Sequence, residues 1–236
     1  MRACEAIFAR RPEAIVRVYL AEQRRRQFTA LIEWCVRSHK GFQIVAAENL
    51  ARLTGSIHHE GVAILARHLP RWTLADLLGR AAGLAGPLVY LDGVQNPHNL
   101  GSILRSAAHF GVGAVLGRTG DLPPLSAAAV RVAEGAAETV PVCDLADPAA
   151  DLARLKREGW RVVVTTSHAG EPLYASALPE RAVLVLGSEG EGVSPAVDRL
   201  ADLRARIPGT GAVESLNVAV ACGVALGEMW RRRHPG

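Results

Sequence analysis

The chain has 236 residues, 49% apolar and 21% charged, enough to bury a core in one large unit or two modest ones. That balance excludes disordered, collagen-like and low-complexity proteins, and no apolar run reaches membrane-spanning length. Net charge is +4 but uneven: residues 1–86 carry 13 Lys and Arg against 7 Asp and Glu, while residues 87–236 carry 14 against 16. Nearly all cations of the first part are arginines, including Arg10-Arg11 and Arg24-Arg25-Arg26, whose planar forks match phosphate oxygens. A nucleic-acid-facing module beside a module with other work is the expectation. No apolar stretch near the N-terminus suits a signal peptide. Cys4, Cys35, Cys143 and Cys222 are scattered without a C-x-x-C pair, pointing away from zinc and disulfides and towards a reducing, cytoplasmic setting.

In chain order, alternation predicts a strand over 14–20, a helix over 28–38 and a strand over 43–46. A helix over 47–53 and a strand over 61–66 follow, making a small α/β sandwich over 1–80. Small residues, Gly and Pro mark a linker over 81–87. Beyond it, over 88–236, strands are predicted at 88–91, 112–116, 161–165 and 182–186, with helices at 100–110, 149–158 and 217–232. Strands of nearly unbroken Val and Leu argue for a parallel sheet covered on both faces. Ligands of such sheets bind beyond the carboxyl ends of the strands. Three glycine-rich polar loops belong there, at 92–99, 187–195 and 208–217. Asn99 is expected to cap the helix that follows the first of them. Arg231-Arg232-Arg233 close the last helix, where they favour its dipole or reach RNA.

Nucleotide-cofactor motifs are absent. The chain has no Walker lysine, and Gly111-Val112-Gly113 precedes a strand instead of a helix. The loop Gly187-Ser188-Glu189-Gly190-Glu191-Gly192 carries two carboxylates that would repel a pyrophosphate, so a neutral or cationic ligand suits it better. Ser215 sits in no nucleophile elbow, and no histidines are spaced as metal ligands, so neither a catalytic triad nor a metal site is expected.

Read together, the three loops resemble the three motifs of the SpoU (TrmH) branch of the SPOUT methyltransferases. The first is Leu91-Asp92-Gly93-Val94-Gln95-Asn96-Pro97-His98-Asn99, running on through Arg105 to Ala107. Leu184-Val185-Leu186-Gly187-Ser188-Glu189-Gly190-Glu191-Gly192 resembles the second, and residues 207–221, around Glu214-Ser215-Leu216-Asn217, the third. The pattern departs at Asn96, where aspartate is frequent, and at Ala219, where serine is. Residues 1–80 are similar to the basic substrate-binding domain often placed ahead of that fold.

The resemblance implies a parallel-sheet SPOUT domain with a C-terminal trefoil knot, preceded by an α/β-sandwich RNA-binding domain. It implies S-adenosyl-L-methionine-dependent methylation of a ribose 2′-hydroxyl in structured RNA, tRNA or rRNA, by a homodimer. Carried over, Asn99, Arg105, Glu189, Ser215 and Asn217 form the catalytic surface. Backbone at Gly187, Ile207 and Leu216 binds the cofactor. Asn99 is expected to orient Arg105, and Glu189 to anchor that arginine or favour the cationic cofactor. The rival expectations are a non-catalytic RNA-binding or assembly factor that keeps the fold, and a base methyltransferase. Neither a metal nor a membrane partner is expected.

Overall fold

A computed structural model of the chain describes residues 1–80, 83–84 and 86–235. Ala81, Ala82 and Ala85, inside the expected linker, lie outside them. The first unit contains α1 (Arg2–Arg10), β1 (Ile15–Leu20), α2 (Thr29–Arg37), β2 (Gly41–Ile44), α3 (Ala47–Thr54) and β3 (Val62–Ala66). Its sheet has the order β2-β1-β3, with β1 parallel to β2 and antiparallel to β3. Ile15, Val18 and Leu20 of β1 meet Leu31 and Cys35 of α2 and Ile7 of α1 in a core separate from the rest. The strands and the two later helices fall where alternation puts them, save that β2 begins and ends two residues before the expected 43–46. Helix α1 has no counterpart among the expected elements: with Ile7 its one fully buried residue, its apolar stripe is too short to read.

The second unit is built on an eight-stranded sheet. Its strands are β4 (Trp72–Thr73), β5 (Leu88–Asp92), β6 (Ala114–Arg118), β7 (Val142–Leu145), β8 (Arg161–Thr166), β9 (Glu171–Pro172), β10 (Ala182–Gly187) and β11 (Leu203–Arg206). They lie in the order β4-β7-β6-β5-β10-β8-β11-β9, and every pairing is parallel. The helices are α4 (Leu74–Gly79), α5 (Pro97–His109), α6 (Ala127–Val132), α7 (Pro148–Arg157), α8 (Pro195–Asp198) and α9 (Val218–Arg233). Successive strand residues point to opposite faces, which is why the Val/Leu runs serve two layers. Leu88 and Tyr90 of β5 and Val183 and Val185 of β10 pack with α4, α7 and Trp160. Val89, Leu91, Leu184 and Leu186 pack with Leu100, Ile103 and Leu104 of α5 and Leu226 and Met229 of α9.

Packing assigns residues 72–79 to the large sheet although composition marks the break later. Trp72 and Thr73 pair with Cys143 and Asp144, and Leu74 and Leu77 enter the core beside α7. Thr73 and Asp76 cap α4 reciprocally. The two units touch along a short 3-10 turn, Ala136–Glu138. There the Glu138 carboxylate takes two hydrogen bonds from Arg11, each 3.0 Å, and Arg11 also donates to the carbonyl of Arg67 at 3.1 Å. A bidentate, mostly buried pair of this kind fixes orientation better than an exposed one.

The closing arginines serve the fold, Arg233 by donating to the carbonyls of Met229 and Phe110. Arg231 and Arg232 both donate to the buried Glu228 carboxylate, at 2.6–2.9 Å, and Arg232 also binds the carbonyls of Leu173, Tyr174 and Ser176. The Arg231 hydrogen bond leads in holding the Glu228 carboxyl down at about 2, with Arg232 adding and burial opposing. A depressed carboxylate stabilises above its unfolded range and loses that contribution as pH falls towards about 2. Glu228→Gln is therefore expected to cost about 2 kcal/mol at neutral pH, as charged hydrogen bonds do. That corresponds to a Tm lower by roughly 4–8 °C. Thermal melts from pH 7 to pH 2 check it: the gap between variant and wild type should close as the acid limit is approached.

Candidate active site

The carboxyl ends of β5, β10, β8 and β11 share one edge of the parallel sheet, and the three glycine-rich loops leave from β5, β10 and β11. Asp92, the last residue of β5, ties the first loop to the second. Its carboxylate accepts from the Ser194 backbone amide at 2.7 Å and from the Tyr90 hydroxyl at 3.2 Å. Burial first, and then the Asp92 charge, push the Tyr90 hydroxyl up, so it remains a donor.

The second loop turns back tightly. Ser188 and Gly192 exchange backbone hydrogen bonds of 3.1 Å, and a Cβ on Gly187 would stand 2.1 Å from the Gly192 carbonyl carbon. No side chain fits at Gly187, and the turn carries Glu189 outward. In the third loop Asn217 caps α9, its carbonyl oxygen accepting from the amides of Ala219 (3.0 Å) and Val220 (3.4 Å). That leaves the Asn217 amide nitrogen free to donate to Glu189 Oε1 at 2.7 Å and to Asn99 Oδ1 at 3.1 Å. Asn99 in turn donates to the same Glu189 oxygen at 3.3 Å. Three residues, one from each loop region, close a hydrogen-bonded ring.

Asn99 can join the ring because it is not the cap. Pro97 opens α5, and Asn96 caps it by accepting from the His98 amide at 2.9 Å. Asn99 thus lies in the first helical turn with its side chain at liberty. Arg105 stands elsewhere. Six positions further along a helix turn a side chain by about 240°, and Arg105 faces Glu134, at 3.6 Å, with 62% of its side chain exposed. Among the described residues it makes no hydrogen bond with Asn99 or Glu189, so neither orients it in the way expected from the sequence.

Ser215 is exposed and makes no side-chain hydrogen bond among the described residues. Gly187 ends β10, and Ile207 follows β11, half-buried against the layer of α5 and α9. Leu216, 42% exposed, precedes the Asn217 cap. Asp92, Ser194 and Glu134 escaped the sequence reading. A strand-ending aspartate before Gly93 was the one visible signal for Asp92, and nothing local marks Glu134.

The four cysteines are free, and burial pushes Cys4 to about 11 and Cys143 and Cys222 to about 12, leaving them as thiols instead of nucleophiles. Among the described residues no group of three His, Cys, Asp or Glu could hold a metal ion, and no helix is long and apolar enough to cross a membrane.

Residues 86–227 match the model of the SpoU rRNA Methylase family, and residues 1–72 that of the RNA 2′-O ribose methyltransferase substrate-binding domain. An uncharacterized tRNA/rRNA methyltransferase, YfiF, of Escherichia coli O157:H7 is 39% identical over 98% of the chain, which spans 66% of that relative's length. The 23S rRNA (guanosine-2′-O-)-methyltransferase RlmB of Nitrosomonas europaea is 37% identical over 94% of the chain and 85% of its own length. The AdoMet-bound rRNA methyltransferase of Sinorhizobium meliloti shares the fold, with a TM-score of 0.77 at 24% identity, covering 98% of this chain and 86% of that one. With one family model spanning the whole sheet edge and its loops, and relatives aligned over nearly the full chain, this protein belongs to the SpoU rRNA methylase family.

Proposed function

We propose that this protein transfers a methyl group from S-adenosylmethionine to a ribose 2′-hydroxyl of structured RNA, with 23S rRNA as the substrate class. The ring of Asn99, Glu189 and Asn217 carries the reading, because it joins all three motif loops at the sheet edge where a ligand sits. Relatives named as 23S rRNA (guanosine-2′-O-)-methyltransferases support the choice of RNA.

The residues present fit the cofactor. Side chains added at Gly190, Gly209 or Gly211 would meet nothing within 4 Å, so loop backbone stands bare to a ligand. Backbone at Gly187, Ile207 and Leu216 would hold its adenosine part. When bound, S-adenosylmethionine would supply a methyl carbon on a sulfonium, its S–CH3 bond breaking to leave S-adenosylhomocysteine as the 2′ oxygen takes the methyl group and gives up its proton to water. Glu189, fixed by two amides, offers its negative charge to a cationic donor. A guanidinium keeps its proton in proteins, so Arg105 acts as a cation that orients the ribose hydroxyl and its neighbouring phosphate. Ser215 lies exposed in the third loop, within the catalytic surface we assign.

The same reading takes residues 1–71 as the RNA-binding unit and residues 72–236 as the methyltransferase unit. It includes a homodimer, supported by exposed Val213, Leu216 and Val220 around the third loop. A knotted C-terminus is supported by the return of α9 from the β11 edge to pack on α5. An RNA substrate of this class is met in the cytoplasm.

Incubating the protein with S-adenosylmethionine and 23S rRNA, then mapping alkali-resistant linkages, tests the reaction. Ribose methylation is the expected product; methyl groups found only on bases would overturn it. Absence of cofactor binding by calorimetry would favour an RNA-binding factor that keeps the fold.

Arg105→Ala should abolish transfer while cofactor affinity stays within a few-fold, measured by calorimetry beside single-turnover assays. Asn217→Asp keeps the helix cap but sets a second carboxylate against Glu189. Tm should move little while transfer falls more than about tenfold, since misplacing a reacting group by 1 Å costs up to about a hundredfold. In full-length protein, Arg25→Ala with Arg26→Ala should flatten the log–log salt dependence of RNA binding by about 1.5, at roughly 0.7–0.9 per lost phosphate contact.

A further inference from the structure

Arg105 has no anchor in the ring of Asn99, Glu189 and Asn217. Its recorded partner comes from the segment that leaves α6, where Glu134 and Gly135 adopt successive positive φ values of 49° and 91°. The left-handed region is an uncommon, strained place for a residue with a Cβ. What holds the backbone there is visible in the packing. A Cβ on Gly135 would lie 2.8 Å from the Ala6 Cβ and 3.3 Å from the Arg2 carbonyl oxygen, so the segment is wedged against α1 of the first unit. Three residues on from Gly135, Glu138 grips Arg11, just past the other end of that helix.

The carboxylate of Glu134 stands between the two units. Its Oε2 lies 3.6 Å from Arg105 Nη2 and also 3.6 Å from Arg2 Nε. Arg2, Arg67, Arg131 and Glu134 border a cleft of about 570 Å³ between the units. The oxygen that faces the candidate catalytic arginine is therefore shared with a cation of the RNA-binding unit, at the wall of the space between them. Contact through one terminal nitrogen leaves the remaining guanidinium donors free for a phosphate or hydroxyl.

We propose that Glu134 is a positioning residue for Arg105, and that its second contact, with Arg2, makes the stance of that arginine depend on how α1 is seated. The inference rests on the role given to Arg105 above. Glu134 touches no reacting atom; it acts through the guanidinium it holds.

Glu134→Gly separates this role from a merely structural one, because glycine accepts the positive φ while removing the carboxylate. Tm should hold or rise, cofactor affinity should stay within about twofold, and kcat on RNA should fall about tenfold or more, on the scale that misplaced catalytic groups lose. Glu134→Gln should lose kcat similarly. Arg2→Ala should lose less, and nothing further in the Glu134→Gln background. Solvent exchange of the Arg105 Nη protons, followed by NMR at low temperature and assigned with Arg105→Lys, should quicken in both Glu134 variants. Wild-type kcat together with unchanged exchange in Glu134→Gly would overturn the proposal. Were the wild type to bind S-adenosylmethionine yet methylate no ribose, the reading of the reaction would fail. The exchange measurement would then decide the positioning role alone: faster exchange upholds it and unchanged exchange refutes it.

Discussion

The structure depends at its functional end on one carboxylate oxygen. Glu189 Oε1 receives both Asn217 and Asn99, and through them three chain segments far apart in sequence are held within hydrogen-bond reach. Loops at the end of a parallel sheet have no ladder to hold them, so their mutual placement falls to side chains. Amide groups suit the task because they donate and accept at once. Asn217 uses its oxygen to cap α9 and its nitrogen to reach the other two residues. Helix geometry and loop geometry are thereby set by one side chain. An ionised acceptor strengthens each bond it takes.

Beneath that ring lies a second tier of fixings made by backbone. Asp92 binds the Ser194 amide across neighbouring strands, and the Gly187 turn closes so tightly that no Cβ could enter. The site combines loops open to a ligand on one side with rigid anchoring on the other. Arg105 is the exception, exposed and held from outside the ring. Arg105, to which the proposed reading gives the ribose, thus stands apart from Asn99, Glu189 and Asn217.

Much of the architecture was legible in the sequence, for identifiable reasons. Buried parallel strands such as Leu88–Asp92 and Ala182–Gly187 read as continuous apolar runs, and α5 and α7 between them carry apolar periodicity, whereas the six residues of α6 are too few to show one. Short and charge-broken strands were not legible. β11 alternates leucine and alanine with Arg204 and Arg206, and β4 is two residues long, so neither yields a run to detect. The Val142–Leu145 strand is interrupted by Asp144, whose charge is met by Arg71. The ring residues were legible through motif resemblance, since hydrogen bonds across 90 and 118 positions leave no local trace. The start of α5 was misread because asparagine is a good cap at two positions, and only Pro97 at the first helical place decides for Asn96. Glu134 had no signal at all, its meaning arising wholly from tertiary packing.

The strand order has a consequence for synthesis on the ribosome. β10 slots between β5 and β8, and Asn217 comes 118 positions after the Asn99 it must meet. The amino-terminal unit closes on contacts within its first 66 residues and is free to form while translation continues. The ring, by contrast, has no third member until Asn217 is made, so the arginine-rich unit can be assembled well before the three loops can meet.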